Sequence, residues 1–432
     1  ARSGQGSSVQ AAGRGSDMTS PLDKLRVIDL GQVFAGPFAA RLLADMGAEV
    51  VRVESPFRSG RGGAVPLPGA TYPDGVPGER PYNRVAYYNE VNRNKRAVSL
   101  DLSKDKGREV FLRLVAISDV LVENFSPRVM SNLGLDYEVL RQRRTDLIMV
   151  SMSAFGSTGP YRDYVSFGPG VEAMAGFSSL MGYPGGPPLR AGVAYADAIG
   201  GNQAALAVLV ALRHRQRTGE GQHIDLSVRE SLVSLLGESV IDFSMNKRVP
   251  RPVGNRHPTF APHGVYRCRG DDAWVAISVE SEEEWQRCCR AMGAPGWTRE
   301  PRFSDMSSRR QYQDELDRLM EGWTLDTDKY EAMRALQGVG VKAGAVLTAA
   351  ELLEDRHLKE RHFFQRLSHP DAGVHQHPGV AWRLSRSPGQ VERAAPCFAQ
   401  DNRYVFGELL GMSADEIVEM ERDGVATRTP SR

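Results

Sequence analysis

Beyond residue 24 the chain alternates short β-branched and apolar runs with longer stretches in which apolar positions recur every three or four residues. LRVIDL (25–30), AEVVRVE (48–54), AVSLDL (97–102), DVLVEN (119–124) and LIMVSMSAF (147–155) predict five buried strands. Residues 38–46, closed by Gly47, and residues 106–117 predict helices between them. Near-continuous apolar strands separated by helices of about 10 to 15 residues predict βαβ units. The fold class that follows is α/β, with a large, open, Rossmann-like parallel sheet whose ligands sit off the carboxyl ends of the strands.

Between residues 155 and 201 periodicity fades and Gly and Pro cluster in FGPG, GYPGGPP and AIGG. A long loop region of this kind inside a large domain is usually functional. Apolar periodicity returns in a helix over 203–216, a strand at GQHIDLS (221–227) and a helix over 228–245. WVAISV (274–279) with helices near 285–292, 308–320 and 327–337 predicts a second, smaller α/β unit, and 402–423 reads as helical. The domain organisation that results has a flexible tail over 1–17, with Met18 as the native start, and a large domain over 18–230. A linker helix and loop over 231–262, a small domain over 263–350 and a return to the large domain over 351–432 complete it.

Composition narrows the function classes. With 54 Lys+Arg against 53 Asp+Glu, the net charge of +1 gives no general field for nucleic acid or an anionic membrane. No uninterrupted apolar run approaches about 18 residues, the nearest being 204–212, so no transmembrane helix is expected. Cys268, Cys288, Cys289 and Cys397 lack CxxC spacing and read as reduced thiols of a cytoplasmic protein. No metal site is expected: His375 and His377 read as a solvated loop pair, and His257 and His263 as hydrogen-bonders of a Pro-rich loop. The chain has no GxSxG elbow and no P-loop.

Two features keep a functional and a structural reading side by side. Asp197, in AYADAIGG ahead of a long apolar helix, suits either a helix N-cap or a nucleophilic carboxylate kept ionised by the helix start, with Gly200 and Gly201 admitting a ligand to the backbone. Arg93, Lys95 and Arg96, just before a strand, form either a phosphate-binding patch or a solvated strand entrance. Glu172 reads as a helix-surface carboxylate, and Glu230 follows the GQHIDLS strand without a clear role.

Several ordered segments together resemble the family III CoA transferases, the group with formyl-CoA transferase and carnitine CoA-transferase. They are PLDKLRVIDLGQVFAGPFAARLLADMGAEVVRVE, NRNKRAVSLDL, DVLVENFSPRVMSNLGL, SMSAFGSTGPY, GYPGGPP with AYAD, and RTGEGQHIDLS. The resemblance implies that Asp197 attacks an acyl-CoA thioester to give a mixed anhydride and then an aspartyl-CoA thioester, with loop N–H groups such as those of Gly200 and Gly201 serving the oxyanion. It implies CoA contacts at Val33, Phe34, Leu100, Asn124 and Phe125. Two family arginines fall here at Ser55 and Asn132, so Arg128 and the Arg93, Lys95, Arg96 group inherit the phosphates. An acyl-CoA donor, a carboxylic acid acceptor and an interlocked homodimer with an inserted small domain are implied as well, the active site lying between the large domain of one subunit and the small domain of the other. The related α-methylacyl-CoA racemases use a His-Asp pair that falls here at Phe167 and Gly168, which ranks transfer above racemisation. The glycine-rich lid of formyl-CoA transferase is replaced by PVGNRHP (252–258), so formyl and oxalyl specificity is not implied. The alternatives left open are an α-proton acyl-CoA isomerase and a non-catalytic CoA-binding homologue.

Overall fold

The computed structural model describes residues 20–57 and 69–431. The tail read at 1–17, and Met18, lie outside the described residues. The chain forms two compact units. The first comprises the residues up to Phe167 with Ala196–Ser231 and His362–Arg432, and the second Gly168–Tyr195 with Leu232–Arg361.

The first unit is built on six strands: β1 (Arg26–Asp29), β2 (Glu49–Glu54), β3 (Lys95–Ser99), β4 (Val120–Glu123), β5 (Ile148–Ser153) and β6 (Gln222–Ser227). They lie in the order β3-β2-β1-β4-β5-β6, every pair parallel. Ile28 stands opposite Val51 on one side and Leu121 on the other, so the apolar runs meet in register at the middle of the sheet. The helix Asp105–Ala116 buries Val110, Phe111 and Leu114 in the same core, and the carboxyl-terminal segment adds Val405, Phe406 and Met420. Strand order reverses between β1 and β4, which opens a crevice at their carboxyl ends.

Strand β3 begins at Lys95 rather than at Ala97, because pairing of Val50 with Lys95 draws the basic residues into the ladder. A polar hairpin, β10 (Phe364–His369) with β11 (Gly373–Pro378), went unpredicted because its residues offer no apolar alternation. His375 and His377 therefore sit on a strand rather than in a loop.

The helix Tyr195–Thr218 starts eight residues earlier than the apolar pattern suggested and runs for 24 residues. Its mean hydropathy over 18 residues is 1.2, which by length and composition alone is enough to cross a membrane. Uninterrupted runs did not show this, because a few interspersed polar residues break them up. Ala196, Gly200, Ala204, Val208 and Ala211 form a buried stripe at helical spacing, the pattern of a core helix. Leu206, Leu209 and Val210 on the other side are exposed.

The second unit contains an antiparallel sheet, β7 (His263–Arg267), β8 (Trp274–Ser278) and β9 (Lys342–Ala345), in the order β7-β8-β9. Its core packs Trp285 and Cys288 of the helix Glu282–Ala291 against Phe303, Leu316, Met320 and Leu336. The helix expected over 228–245 is two, Val228–Val233 and Gly237–Asn246, broken at Ser234–Leu236. Residues 168–195 and 232–262 group with this unit rather than with the large domain and a linker. Without apolar periodicity, nothing local in those Gly/Pro clusters assigns them to either.

Candidate active site at the carboxyl ends of the parallel sheet

The segments leaving β1 and β4 meet across the crevice. Asn124 clasps the first: Gln32 N–H donates to Asn124 Oδ1 (2.6 Å) and Asn124 Nδ2 donates to Gln32 O (2.9 Å). Close approach is needed here, since a Cβ on Gly36 would stand 3.0 Å from Asn124 Oδ1. Val33 is held at φ +57°, a region costly for a β-branched residue, and its side chain is exposed. Phe34 stacks on Phe38 with ring centroids 5.4 Å apart at the entry to the helix Ala35–Asp45. The two Asn124–Gln32 hydrogen bonds thus bring the turn after β1, with Val33 and Phe34, against the turn after β4 at the start of the helix Ala35–Asp45.

Asp197 lies in the first turn of the helix Tyr195–Thr218, two residues inside it rather than at its cap, and is half-buried. The positive end of the helix dipole favours its ionised form. Four residues on, Gly201 packs on the start of the helix Ala35–Asp45: an added Cβ would come 2.7 Å from Phe38 Cδ1 and 3.0 Å from Ala35 O. Positions four apart share a helix face, so Asp197 stands one turn ahead of this contact on the same face of the helix Tyr195–Thr218. Gly200 is pressed on Val228 in the same way, with an added Cβ 3.2 Å from Cγ1. The expected oxyanion role for Gly200 and Gly201 is corrected, because beyond the first turn their N–H groups belong to the helix's own hydrogen-bond ladder. Within the helix, the groups without an intrahelical acceptor are those of residues 195–197. One of them, Tyr195 N–H, donates to Glu172 Oε1 at 3.0 Å. Glu172 is 1% exposed, so it is a buried anchor of that helix start and not a surface carboxylate.

The basic stretch serves the interior. Lys95 Nζ is fully buried and donates to Asp29 Oδ2 (2.8 Å), Pro37 O (2.7 Å) and Asn92 Oδ1 (2.9 Å). Burial works against the Asp29 carboxylate, but Lys95 and Arg52 outweigh it and hold its pKa below the ordinary value. Burial pulls the Lys95 ammonium down to about 8 despite Asp29. Arg93 is buried in a fork on Asp45, with Nη2 2.7 Å from Oδ2. Arg96 lies over the Tyr404 ring at 3.8 Å and pairs with Asp401 (3.2 Å) and Glu49 (3.3 Å). The expected phosphate contacts of Arg93, Lys95 and Arg96 are therefore corrected: their charges are matched by carboxylates of the same unit. Leu100 is corrected likewise, its side chain being buried in the core. Arg128, at the turn after β4, is exposed and makes a 3.4 Å ion pair with Asp163.

Sequence reasoning missed a cluster beside the Asn124–Phe125 turn. Glu123, at the end of β4, accepts the Phe125 N–H on Oε2 (2.7 Å) and a hydrogen bond from Ser151. Ser151 Oγ lies 2.9 Å from His223 Nε2, and the His223 ring stacks on Tyr137 with centroids 5.4 Å apart. Burial pushes the Glu123 carboxyl up to about 7, with Asp225 adding to the rise and the two hydrogen bonds opposing it. Asp225 holds the loop after β5, accepting from Ser157 N–H (2.9 Å) and Ser157 Oγ (2.5 Å). These residues line a cavity of about 80 Å³ with Met130, Met149 and Ser153. Ser153 Oγ is buried there with no hydrogen-bond partner among the described residues. A histidine and an aspartate alternating on one strand, in GQHIDLS, were the only sequence signal.

An open parallel sheet whose strand order reverses between β1 and β4 is the frame of α/β proteins, which as a class bind ligands off the carboxyl ends of their strands. The model of CoA-transferase family III matches residues 22–402. The chain is 35% identical to the succinyl-CoA–D-citramalate CoA-transferase of Chloroflexus aurantiacus, over 93% of this chain and 97% of that protein. It is 33% identical to the succinate–glutarate CoA-transferase of Agrobacterium fabrum, over 90% and 96%. A crystal structure of a CaiB/BaiF family protein from Brucella suis superposes with a TM-score of 0.81 at 30% identity, covering 90% of this chain and 99% of that one. The chain belongs to CoA-transferase family III, and it is an enzyme.

Proposed function

We propose that the enzyme moves CoA from an acyl-CoA donor to the carboxylate of an acceptor acid, with Asp197 as the nucleophile. The observation that carries this reading is the place of Asp197: half-buried in the first turn of a long helix, one turn ahead of the point where Gly201 packs on the helix Ala35–Asp45. An Asp197 oxygen attacks the thioester carbon, the C–S bond breaks and CoA leaves as thiolate, which gives an aspartyl anhydride. The thiolate then attacks the aspartyl carbonyl and expels the donor carboxylate, leaving an aspartyl-CoA thioester. The acceptor carboxylate attacks that thioester to form a second anhydride, whose acyl carbon the thiolate takes to give the new acyl-CoA and free Asp197. Each step exchanges one anion for another, so no net proton transfer is needed. The first-turn N–H groups of Ala196 and Asp197, the Tyr195 N–H being taken by Glu172, serve each tetrahedral oxyanion.

The CoA handle is read onto a Rossmann-like crevice, between the Val33–Phe34 and Asn124–Phe125 turns, with phosphate on the start of the helix Ala35–Asp45 and on Arg128. Short dicarboxylic acids are the substrate class, because the relatives named above act on succinyl-CoA, succinate, citramalate and glutarate. An interlocked homodimer is part of the reading: Leu206, Leu209 and Val210 of the first unit, and Val240, Ile241 and Phe243 of the second, leave apolar faces uncovered. Four free thiols, three of them buried, fit a reducing cytoplasm.

Exchange of labelled succinate into succinyl-CoA tests the reading. The wild type is expected to exchange label without a second acceptor, and Asp197→Asn to lose at least about a thousandfold in rate, as for an essential nucleophile. Exchange undiminished in Asp197→Asn would overturn it, as would α-proton exchange with deuterium oxide and no label transfer.

A further inference from the structure

We propose that Glu123 is a positioning residue for CoA: its ionised carboxylate fixes the Asn124–Phe125 turn, so that protonation of this one group loosens the CoA site. This rests on the reading that the turn contacts CoA. The geometry is a continuous chain. Glu123 Oε2 accepts the Phe125 N–H at 2.7 Å, and Asn124 between them holds Gln32 of the β1 turn through two hydrogen bonds. Both walls of the crevice are thereby tied to a side chain that is 4% exposed. On its other side Glu123 accepts from Ser151, whose Oγ lies 2.9 Å from His223 Nε2 on the edge strand β6. His223 is exposed, so the chain gives a buried carboxyl a route for proton exchange with solvent.

The groups facing Glu123 set the sense of the effect. From β5 come the hydroxyls of Ser151 and Ser153, from β6 His223 and Asp225, and from the segment after β4 the Phe125 N–H, Asp136 and Tyr137. Among the described residues no lysine or arginine lines the cavity. Burial and Asp225 favour the protonated form, Ser151 and Phe125 the ionised one, and they balance near neutrality. A carboxylate takes an N–H bond more strongly than a carboxylic acid does. The turn is therefore held firmly above the midpoint and loosely below it.

Calorimetric titration of CoA at several pH values between 6 and 8, with wild type, Glu123→Gln and Ser151→Ala, tests this without relying on turnover. The 3′-phosphate of CoA titrates identically against all three proteins and cancels in the comparison. Wild-type affinity is expected to rise about fivefold more across this range than that of Glu123→Gln, the difference between a charge-assisted and a neutral hydrogen bond. Ser151→Ala removes a bond that favours ionisation, so its midpoint moves to higher pH. It also keeps the proposal falsifiable if Glu123→Gln does not fold. Parallel pH profiles for wild type and Glu123→Gln, or an unmoved midpoint in Ser151→Ala, would overturn the positioning role. CoA binding with an intact wild-type slope but no label exchange would instead fault the transferase reading and leave this one standing.

Discussion

Val33 concentrates the tension between fold and site in one residue. A β-branched side chain at φ +57° is strained, and the surrounding clasp of Gln32 by Asn124 keeps it there. Val33→Gly is expected to relieve the backbone and raise stability by about 1 kcal/mol. The same change would weaken CoA binding, and paired melting and binding measurements check both signs. Lys95 shows the opposite economy, a charge held wholly inside. Lys95→Met leaves Asp29 buried without its ammonium and should cost about 3–5 kcal/mol by denaturant unfolding, whereas the double change with Asp29→Asn should recover much of that loss. Sequence alone could not separate this role from phosphate binding. The carboxylates that match Arg93, Lys95 and Arg96 come from Asp45, Asp29 and Asp401, the last of them 305 residues away. Glu123 gives a pH signature. The folded protein keeps its proton up to about pH 7, whereas the ordinary carboxyl releases it at 4.5. Its contribution to stability is thus complete below pH 4.5 and lost as pH rises through 7, on the order of 3 kcal/mol over that window. Thermal melts of Glu123→Gln should show a correspondingly flatter pH dependence.

Among the elements, strands β1 to β5 were the most legible because their residues are nearly all buried and each carries a short apolar run. Errors arose where a tertiary contact overrode local pattern. Strand β3 extends back to Lys95 because β2 offers it a ladder partner, and the hairpin β10–β11 carries no apolar alternation to read. In the helix Tyr195–Thr218 the glycines suggested a loop, yet they are the price of close packing on Val228 and on the helix Ala35–Asp45. The sequence thus showed that something approaches Gly200 and Gly201 closely, but not that the approaching group is protein. Gly201→Leu should force the two helices apart and lower both stability, by about 2–4 kcal/mol, and CoA-transfer rate. Gly237→Ala, where an added Cβ meets nothing within 4 Å, should leave both nearly unchanged.

At the scale of the whole molecule, the parallel sheet and the family follow from many modest segments in the right sequence, whereas the strand order came from the structure and the second unit was located only in part. Its Gly168–Tyr195 stretch has no periodicity, and only packing joins it to Leu232–Arg361. The uncovered apolar residues predict a dimer in solution: sedimentation should give twice the chain mass for wild type, and Leu206→Asp with Val210→Asp should give monomer with little transfer activity. The central claim is that Asp197 carries acyl and CoA groups covalently, and intact-protein mass spectrometry tests it most directly. After brief incubation with succinyl-CoA, wild type should gain a CoA-sized or succinyl-sized adduct that maps to the peptide containing Asp197, while Asp197→Ala gains none. An unmodified wild type that still transfers CoA, or an adduct that persists in Asp197→Ala, would contradict the account.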